Sequence, residues 1–313
     1  MILTVTLNPA MDRLMFVDGF TFNVTNRIYR RENCVGGKGT HVSANLACLE
    51  EHSIATGIAM GPTGRQIIES LQSLGVECDF VFSEQGDSRT NYVLLDGQSS
   101  TLICEKGPEI PDGVMDAFAA KYDALTDNAE YVIISGDASN FAFGEGFSLQ
   151  DRMLEVAREK GVRVVLDSAG ASLKSGVKKA PYLIKPNAEE LAELTGMPTD
   201  NDAQIMAAIE SLDEYGVEIV AVSMGSRGSI VKYGGEYFRA GIATVEAQNT
   251  VGCGDAYLSG LVYAIKHGFD AEPALALAAA CGGAAAMSPL SVGFHRETAL
   301  SLRDKIQITK LEK

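Results

Sequence analysis

The stretch DRMLEVAREKGVRVVLDSAGASLKSGVKKAPYLIKPNAEEL, residues 151–191, sets the architecture. It opens on a helical pattern, Asp151 to Lys160, and turns at Gly161 into the apolar run VRVVLD (162–167). A second apolar run, YLIKP (182–186), leads into another helical pattern, Ala188 to Thr195. Short β-branched runs without polar alternation suit strands buried on both faces, and helices between such strands make parallel βαβ units. Working outward, ILTVTL (2–7), YVIIS (131–135) and EIVAVS (218–223) are runs of the same kind, and Ala203 to Tyr215 is helical. The last third is helix-rich, over 255–267, 273–287 and 296–305. Two segments break the rhythm. Residues 13–33 alternate and are rich in aromatic and β-branched residues, and 89–105 read as a hairpin turning at Asp96-Gly97. No internal repeat or long linker divides the chain. The expectation is one α/β domain over 1–313, with a small β-sheet lid formed by about 13–33 and 89–105.

The bulk numbers narrow the function. Apolar residues make up 46% and charged residues 21%, the balance of a folded globular chain. A net charge of −15 repels nucleic-acid phosphates and anionic membrane surfaces, so neither is an expected partner. Six cysteines at 34, 48, 78, 104, 253 and 281 show no metal-ligand spacing, which suits free thiols in the cytoplasm. The N-terminal MILTVTLNPAMDR lacks the basic n-region of a signal peptide, and no apolar run approaches the ~20 residues of a membrane span.

Several motifs carry chemistry. In NTVGCGDAYLSG (249–260), Gly252, Cys253 and Gly254 precede Asp255 at the mouth of a helix. Small residues there let an anion reach unpaired N–H groups and the positive end of the helix dipole. The plain alternative is that Asp255 caps the helix. VGGKGTHVSANLACL (35–49) places Gly36, Gly37, Lys38 and Gly39 before a helix but lacks the GxxxxGK[ST] spacing of a P-loop. NPAMD (8–12) follows the first strand, where ligands of open α/β sheets bind, and Asp12 there could accept hydrogen bonds from sugar hydroxyls. In KPNAEEL (185–191), Asn187 and Glu190 make either a capping box or a support for hydrated Mg2+. SMGSRG (223–228) is a glycine turn that walls a nucleotide or simply reverses the chain. Arg27 and Arg89 lie in the lid segments, suited to grip a phosphate.

In this order, TLNPAMD, Asn26-Arg27, GGKGTHVS, SRTN (88–91), KGPEI (106–110), LIKPNAEEL, VSMGSRG and NTVGCGD resemble the ribokinase-like PfkB carbohydrate kinases. The closest resemblance is to the 1-phosphofructokinase and tagatose-6-phosphate kinase branch. The resemblance implies a Rossmann-like three-layer α/β/α core with a β lid that doubles as a homodimer clasp. It implies transfer of the γ-phosphoryl of ATP, with Mg2+, to a ketohexose monophosphate such as fructose 1-phosphate. Asp255 would be the general base, and the backbone of Gly252, Cys253 and Gly254 the anion hole. Asp12, Gly36, Gly37 and His41 would hold the sugar; Lys38, Arg27 and Arg89 would face its phosphate. Lys185, Asn187, Ser223, Gly225 and Gly228 would line the ATP site, with Glu190 toward the metal. Two positions depart from the family pattern: His41 stands where asparagine is usual, and Asp137 lies in SGDASN (135–140). They leave room for another sugar or a sugar acid, and the alternative acceptor within the class is an unphosphorylated sugar or nucleoside. A non-catalytic regulator on the same fold has no need of Asp255, and a Rossmann dehydrogenase fails for want of GxGxxG after the first strand.

Overall fold

The computed structural model describes residues 1–97, 99–111, 113–136 and 148–312. Asp137 lies outside the described residues. The chain opens with β1 (Ile2–Thr6), a buried strand of Leu, Val and Thr. It crosses into the small sheet with β2 (Ala10–Val17) and β3 (Ile28–Gly36), then returns through helix α1 (Lys38–Cys48) to β4 (Ser53–Met60). Helix α2 (Gly61–Ser73) follows, then the short strands β5 (Glu77–Cys78) and β6 (Val81–Ser83). The hairpin β7 (Arg89–Leu95) and β8 (Ser100–Cys104) re-enters the small sheet. Its turn holds Gly97 at φ 81 while Asp96 Oδ1 accepts from Ser99 N–H at 2.7 Å.

A parallel series builds the centre: α3 (Val114–Thr126), β9 (Tyr131–Ser135), α4 (Leu149–Glu159), β10 (Arg163–Asp167), α5 (Gly170–Gly176), β11 (Leu183–Ile184), α6 (Ala188–Thr195), α7 (Asp202–Glu210) and β12 (Ile219–Ser223). Strands β13 (Ser229–Tyr233) and β14 (Glu236–Ala240) turn back antiparallel. Helices α8 (Cys253–Lys266), α9 (Ala271–Ala286) and α10 (Arg296–Arg303) follow, and β15 (Ile308–Leu311) closes the edge. Among the described residues the main sheet has eleven strands, ordered β15-β14-β13-β12-β11-β10-β9-β1-β4-β5 with β6 also on β4. The second has four, ordered β3-β2-β7-β8.

Alternation along the central strands makes two cores. Tyr131, Ile133, Val165 and Leu183 face α1, α8 and α9, where Val42, Leu258 and Ala278 meet them. Val132, Ile134, Leu166 and Ile184 face α3–α7, meeting Phe118, Leu154, Leu173 and Leu191. This is the three-layer ribokinase-like arrangement, with both sheet faces covered as parallel strands require. The small sheet buries Met11, Leu14, Val35 and Val93 against Ala44 of α1 and Ile67 and Leu71 of α2. On its edge strands Ile28, Tyr29, Leu102 and Ile103 stand exposed, Leu102 on the face of Val93 at the cavity and Ile103 on the opposite face.

The structure corrects boundaries. The first strand ends at Thr6, so Asp12 sits within β2 rather than in a turn after β1. The run 182–186 contributes only Leu183 and Ile184 to the ladder, because Pro186 has no N–H to donate. Helix α7 stops at Glu210 and the chain continues as a separate short 3-10 turn over Asp213–Tyr215.

Candidate active site

Gly252 begins the site. It caps α8 in the left-handed region at φ 81, and a Cβ there would lie 2.0 Å from the Ser291 carbonyl oxygen. Only glycine fits both constraints. The turn it makes puts the N–H groups of Cys253 and Gly254 in the first turn of α8, where no helical carbonyl precedes them. Asp255 is the third residue of α8 and forms no capping bond. Its Oδ2 instead lies 2.7 Å from His41 Nδ1, and the carboxylate is buried at the cavity wall. The capping alternative therefore gives way: this carboxylate faces across to another helix, leaving Oδ1 for a ligand. Burial, and then the nearby Asp255 charge, push the Cys253 thiol up to about 11, so at neutral pH the side chain is an uncharged neighbour of the anion hole.

The second wall is the β3–α1 corner. Gly37 caps α1 at φ 99, and a Cβ on Gly36 would lie 1.9 Å from Asp12 Oδ1. Gly36 thus makes the space that Asp12 fills. Asp12, almost wholly buried, accepts from Asn91 Nδ2 at 2.9 Å and Ser291 Oγ at 2.7 Å, with His41 Nε2 at 3.5 Å. Burial alone would raise its carboxyl; the imidazole and these donors hold it below the usual range.

The third wall is an ion cluster. Asp167, the last residue of β10, is fully buried with Oδ1 at 3.2 Å from Lys38 Nζ and 3.5 Å from Lys185 Nζ. Burial works to raise its carboxyl, but the two ammonium groups outweigh this and lower it. The Asp167 charge in turn raises Lys38, so that ammonium is held charged at the site. Lys185 reaches to the mouth of α8, where a Cβ on Gly254 would lie 3.4 Å from its Nζ.

These walls enclose a cavity of about 340 Å3. Asp12, Gly37, Lys38, His41, Arg89, Lys185, Asn187, Glu190, Ser223, Gly252, Gly254 and Asp255 all line it, so residues scattered from 12 to 255 converge at the carboxyl ends of the parallel strands. An adjoining cavity of about 250 Å3 shares Lys38 and Arg89 and adds Asn8, Glu105 and Lys106. Gly36 and Cys253 contribute from behind the wall. Arg27 does not reach the cavity: it precedes Ile28, which pairs with Val17 at the end of the small sheet opposite Ala10 and Gly36. Gly225 and Gly228 shape the turn beyond Ser223 and do not line the cavity; a Cβ on Gly228 would lie 2.1 Å from the Ala240 carbonyl oxygen.

Asn187 and Glu190 do form a capping box: Asn187 Oδ1 accepts from Glu190 N–H and Glu190 Oε2 from Asn187 N–H, both at 2.8 Å. Glu190 also lines the cavity. Among the described residues no group of three or more His, Cys, Asp or Glu side chains is arranged to hold a metal ion. Glu190 at the cavity wall suits an ion that keeps most of its waters and leans on a nucleotide's phosphates. Asp167, Asn91 and Ser291 are the site residues that motif reading passed over. Asp167 ends the run VRVVLD, and its position at a strand's carboxyl end was the available signal.

Comparison with known proteins agrees with this geometry. The family model for pfkB family carbohydrate kinases matches residues 4–292. The chain belongs to the pfkB family of carbohydrate kinases. As a pfkB kinase it aligns with a Staphylococcus aureus protein assigned as a phosphofructokinase, at 28% identity and TM-score 0.80, covering 100% of this chain and 99% of that one. A Thermotoga maritima protein assigned as a 1-phosphofructokinase superposes at 26% identity and TM-score 0.87, covering 99% of each chain. Escherichia coli phosphofructokinase-2, in a structure with substrates and products, shares the fold at TM-score 0.87 and 20% identity, covering 97% of this chain and 98% of that one. A pfkB kinase takes its phosphoryl group from ATP. No helix among the described residues is long and apolar enough to cross a membrane.

Proposed function

We propose that this pfkB kinase phosphorylates a ketohexose monophosphate, fructose 1-phosphate or a close relative, with Asp255 as the general base. The observation that carries the base role is that Asp255 is a buried carboxylate in the first turn of a helix, free of capping duty and at the wall of the cavity. The acceptor hydroxyl gives its proton to Asp255 Oδ1 as its oxygen bonds to the γ-phosphorus, and the P–O bond to ADP breaks with its electron pair. The N–H groups at Gly252–Gly254 and the Lys185 ammonium balance the charge that develops, which is the main demand of phosphoryl transfer. Mg2+, bound with the nucleotide, would supply further charge neutralisation, with Glu190 and Asn187 as the residues that hold it. Asp12 and Asn91 supply hydrogen bonds for the sugar's hydroxyls, and Ser223 closes the nucleotide side.

The acceptor's phosphate is assigned from charge. Lys38 and Arg89 line both cavities, and Lys106 lines the smaller one, where these three cations outnumber Glu105. Such a cluster in a chain of net charge −15 suits an anionic group. Arg27 joins it only if a second copy brings its lid across. The exposed Ile28 and Tyr29 on one edge strand and Ile103 on the other supply apolar surface for a homodimer of that kind. The six cysteines are unpaired, in keeping with the cytoplasm.

The test is ADP release with Mg-ATP across fructose 1-phosphate, fructose 6-phosphate, tagatose 6-phosphate, fructose, ribose and a nucleoside, repeated with Arg89→Ala. A ketose phosphate turned over best, with its KM raised about ten- to hundredfold in the variant, supports the reading. Turnover on a neutral sugar alone, indifferent to Arg89→Ala, would leave a kinase and remove the phosphate assignment.

A further inference from the structure

The position that departs from the family pattern, His41, stands between the two carboxylates that face the acceptor. Its ring is buried, with Nδ1 2.7 Å from Asp255 Oδ2 and Nε2 3.0 Å from the Val35 carbonyl oxygen and 3.5 Å from Asp12 Oδ2. A backbone carbonyl can only accept, so Nε2 carries a hydrogen in either protonation state. At 2.7 Å two lone pairs repel, so the Nδ1–Oδ2 contact also needs a proton. With Asp255 acting as base that proton resides on the ring, and His41 is an imidazolium.

We propose that His41 is a positioning residue of this kinase, an imidazolium that clamps Oδ2 of Asp255 so that Oδ1 meets the acceptor hydroxyl, and that screens Asp12 and Asp255 from an anionic acceptor. The proposal rests on the reading of Asp255 as the base. An amide at position 41 can donate hydrogen bonds through its NH2 but brings no charge, so the two carboxylates would meet a sugar phosphate unscreened. The groups around the ring agree with a cation there. Asp12 faces it from β2, the Cys34 thiol from β3 and Asp255 from α8, while Lys38 sits one turn earlier on α1 with its charge answered by Asp167. Ser291 and Asn91 complete the shell as neutral donors to Asp12. Burial by itself lowers an imidazole, but hydrogen bonds and charge from Asp12 and Asp255 prevail and raise His41 well above 6.5. As pH rises through that raised value the clamp opens, because Nδ1 then turns a lone pair to Oδ2.

Two measurements test this. Ring-nitrogen NMR of histidine-labelled protein, with His41→Asn to assign the signal, reads the proton directly. Both His41 nitrogens in the protonated range at neutral pH support the proposal, and an unprotonated Nδ1 overturns it. Kinetics give the second readout, on His41→Asn whose fold is confirmed by its thermal transition. The expected result is kcat lowered about tenfold or more, KM for the sugar phosphate raised, KM for ATP unchanged, and the wild-type alkaline decline in kcat abolished. An unchanged kcat with an unchanged pH profile overturns it. Asp255→Asn run alongside separates the two readings. If that variant turns over normally the base assignment fails, whereas its inactivity beside an unaffected His41→Asn removes only the role of His41.

Discussion

Gly252 and Asp167 carry the clearest consequences at the scale of single residues. At Gly252 any side chain meets the Ser291 carbonyl oxygen at 2.0 Å in a backbone conformation that L residues avoid. Gly252→Ala is therefore expected to cost about 1–3 kcal/mol or more in stability and to distort the anion hole, read as a lowered Tm together with a lowered kcat. An unchanged Tm would show that the corner relaxes freely. Asp167→Asn leaves Lys185, a buried ammonium, without its counter-charge, and roughly 3 kcal/mol of stability should go with it. The pH dependence follows from the lowered carboxyl. Asp167 contributes stability above its unfolded value of about 3.9, and this is lost as pH falls through the lower folded value. The stability gap between wild type and Asp167→Asn should be full at neutral pH and close below about pH 4. A gap constant with pH would contradict the ion-cluster account. The placement of Gly252 and Asp255 at a helix mouth was legible as motif, since small residues before a carboxylate there have a physical reason to be present. That Asp255 bonds His41 rather than its own helix was not, because the partner is 214 residues away in sequence.

At the scale of elements, the lid separates into two faces with different tasks. Its inner face, with Met11, Leu14 and Val93, packs on α1 and α2 and fixes Asp12 and Asn91 at the cavity rim. Its outer face keeps Ile103 in solvent at 58% exposure, which is where a second copy would dock. Ile103→Asp should leave the thermal transition of the monomer intact and shift the molecular mass by light scattering from dimer toward monomer at micromolar concentration. A monomeric wild type would remove the clasp, and with it the route by which Arg27 reaches a neighbour's site. The alternating segments 13–33 and 89–105 announced strands because period-two patterning is local. The parallel pairing of β2 with β7, which sets Asp12 beside Asn91, joins residues 79 apart and had no local signal. The antiparallel edge of β13, β14 and β15 was missed for a related reason: its half-exposed strands lack the dense apolar runs of the centre.

At the scale of the molecule, a large acidic chain concentrates its usable positive charge at one place. Lys38, Lys185 and Arg89 converge where parallel strands end, while the whole chain's net charge of −15 discourages other polyanions. The βαβ series was legible because buried strands alternate with amphipathic helices, and with it came the carboxyl-end location of the site. Acceptor identity was less legible, since it depends on which cations the lid carries inward and on His41. The most direct measurement of the central claim compares wild type and Asp255→Asn for ADP release with Mg-ATP and fructose 1-phosphate, with ATP binding measured on both. The account predicts retained ATP binding, a wild-type thermal transition, and turnover reduced by about 10²–10⁴ in the variant. Turnover near the wild-type rate from a folded, ATP-binding Asp255→Asn would contradict it.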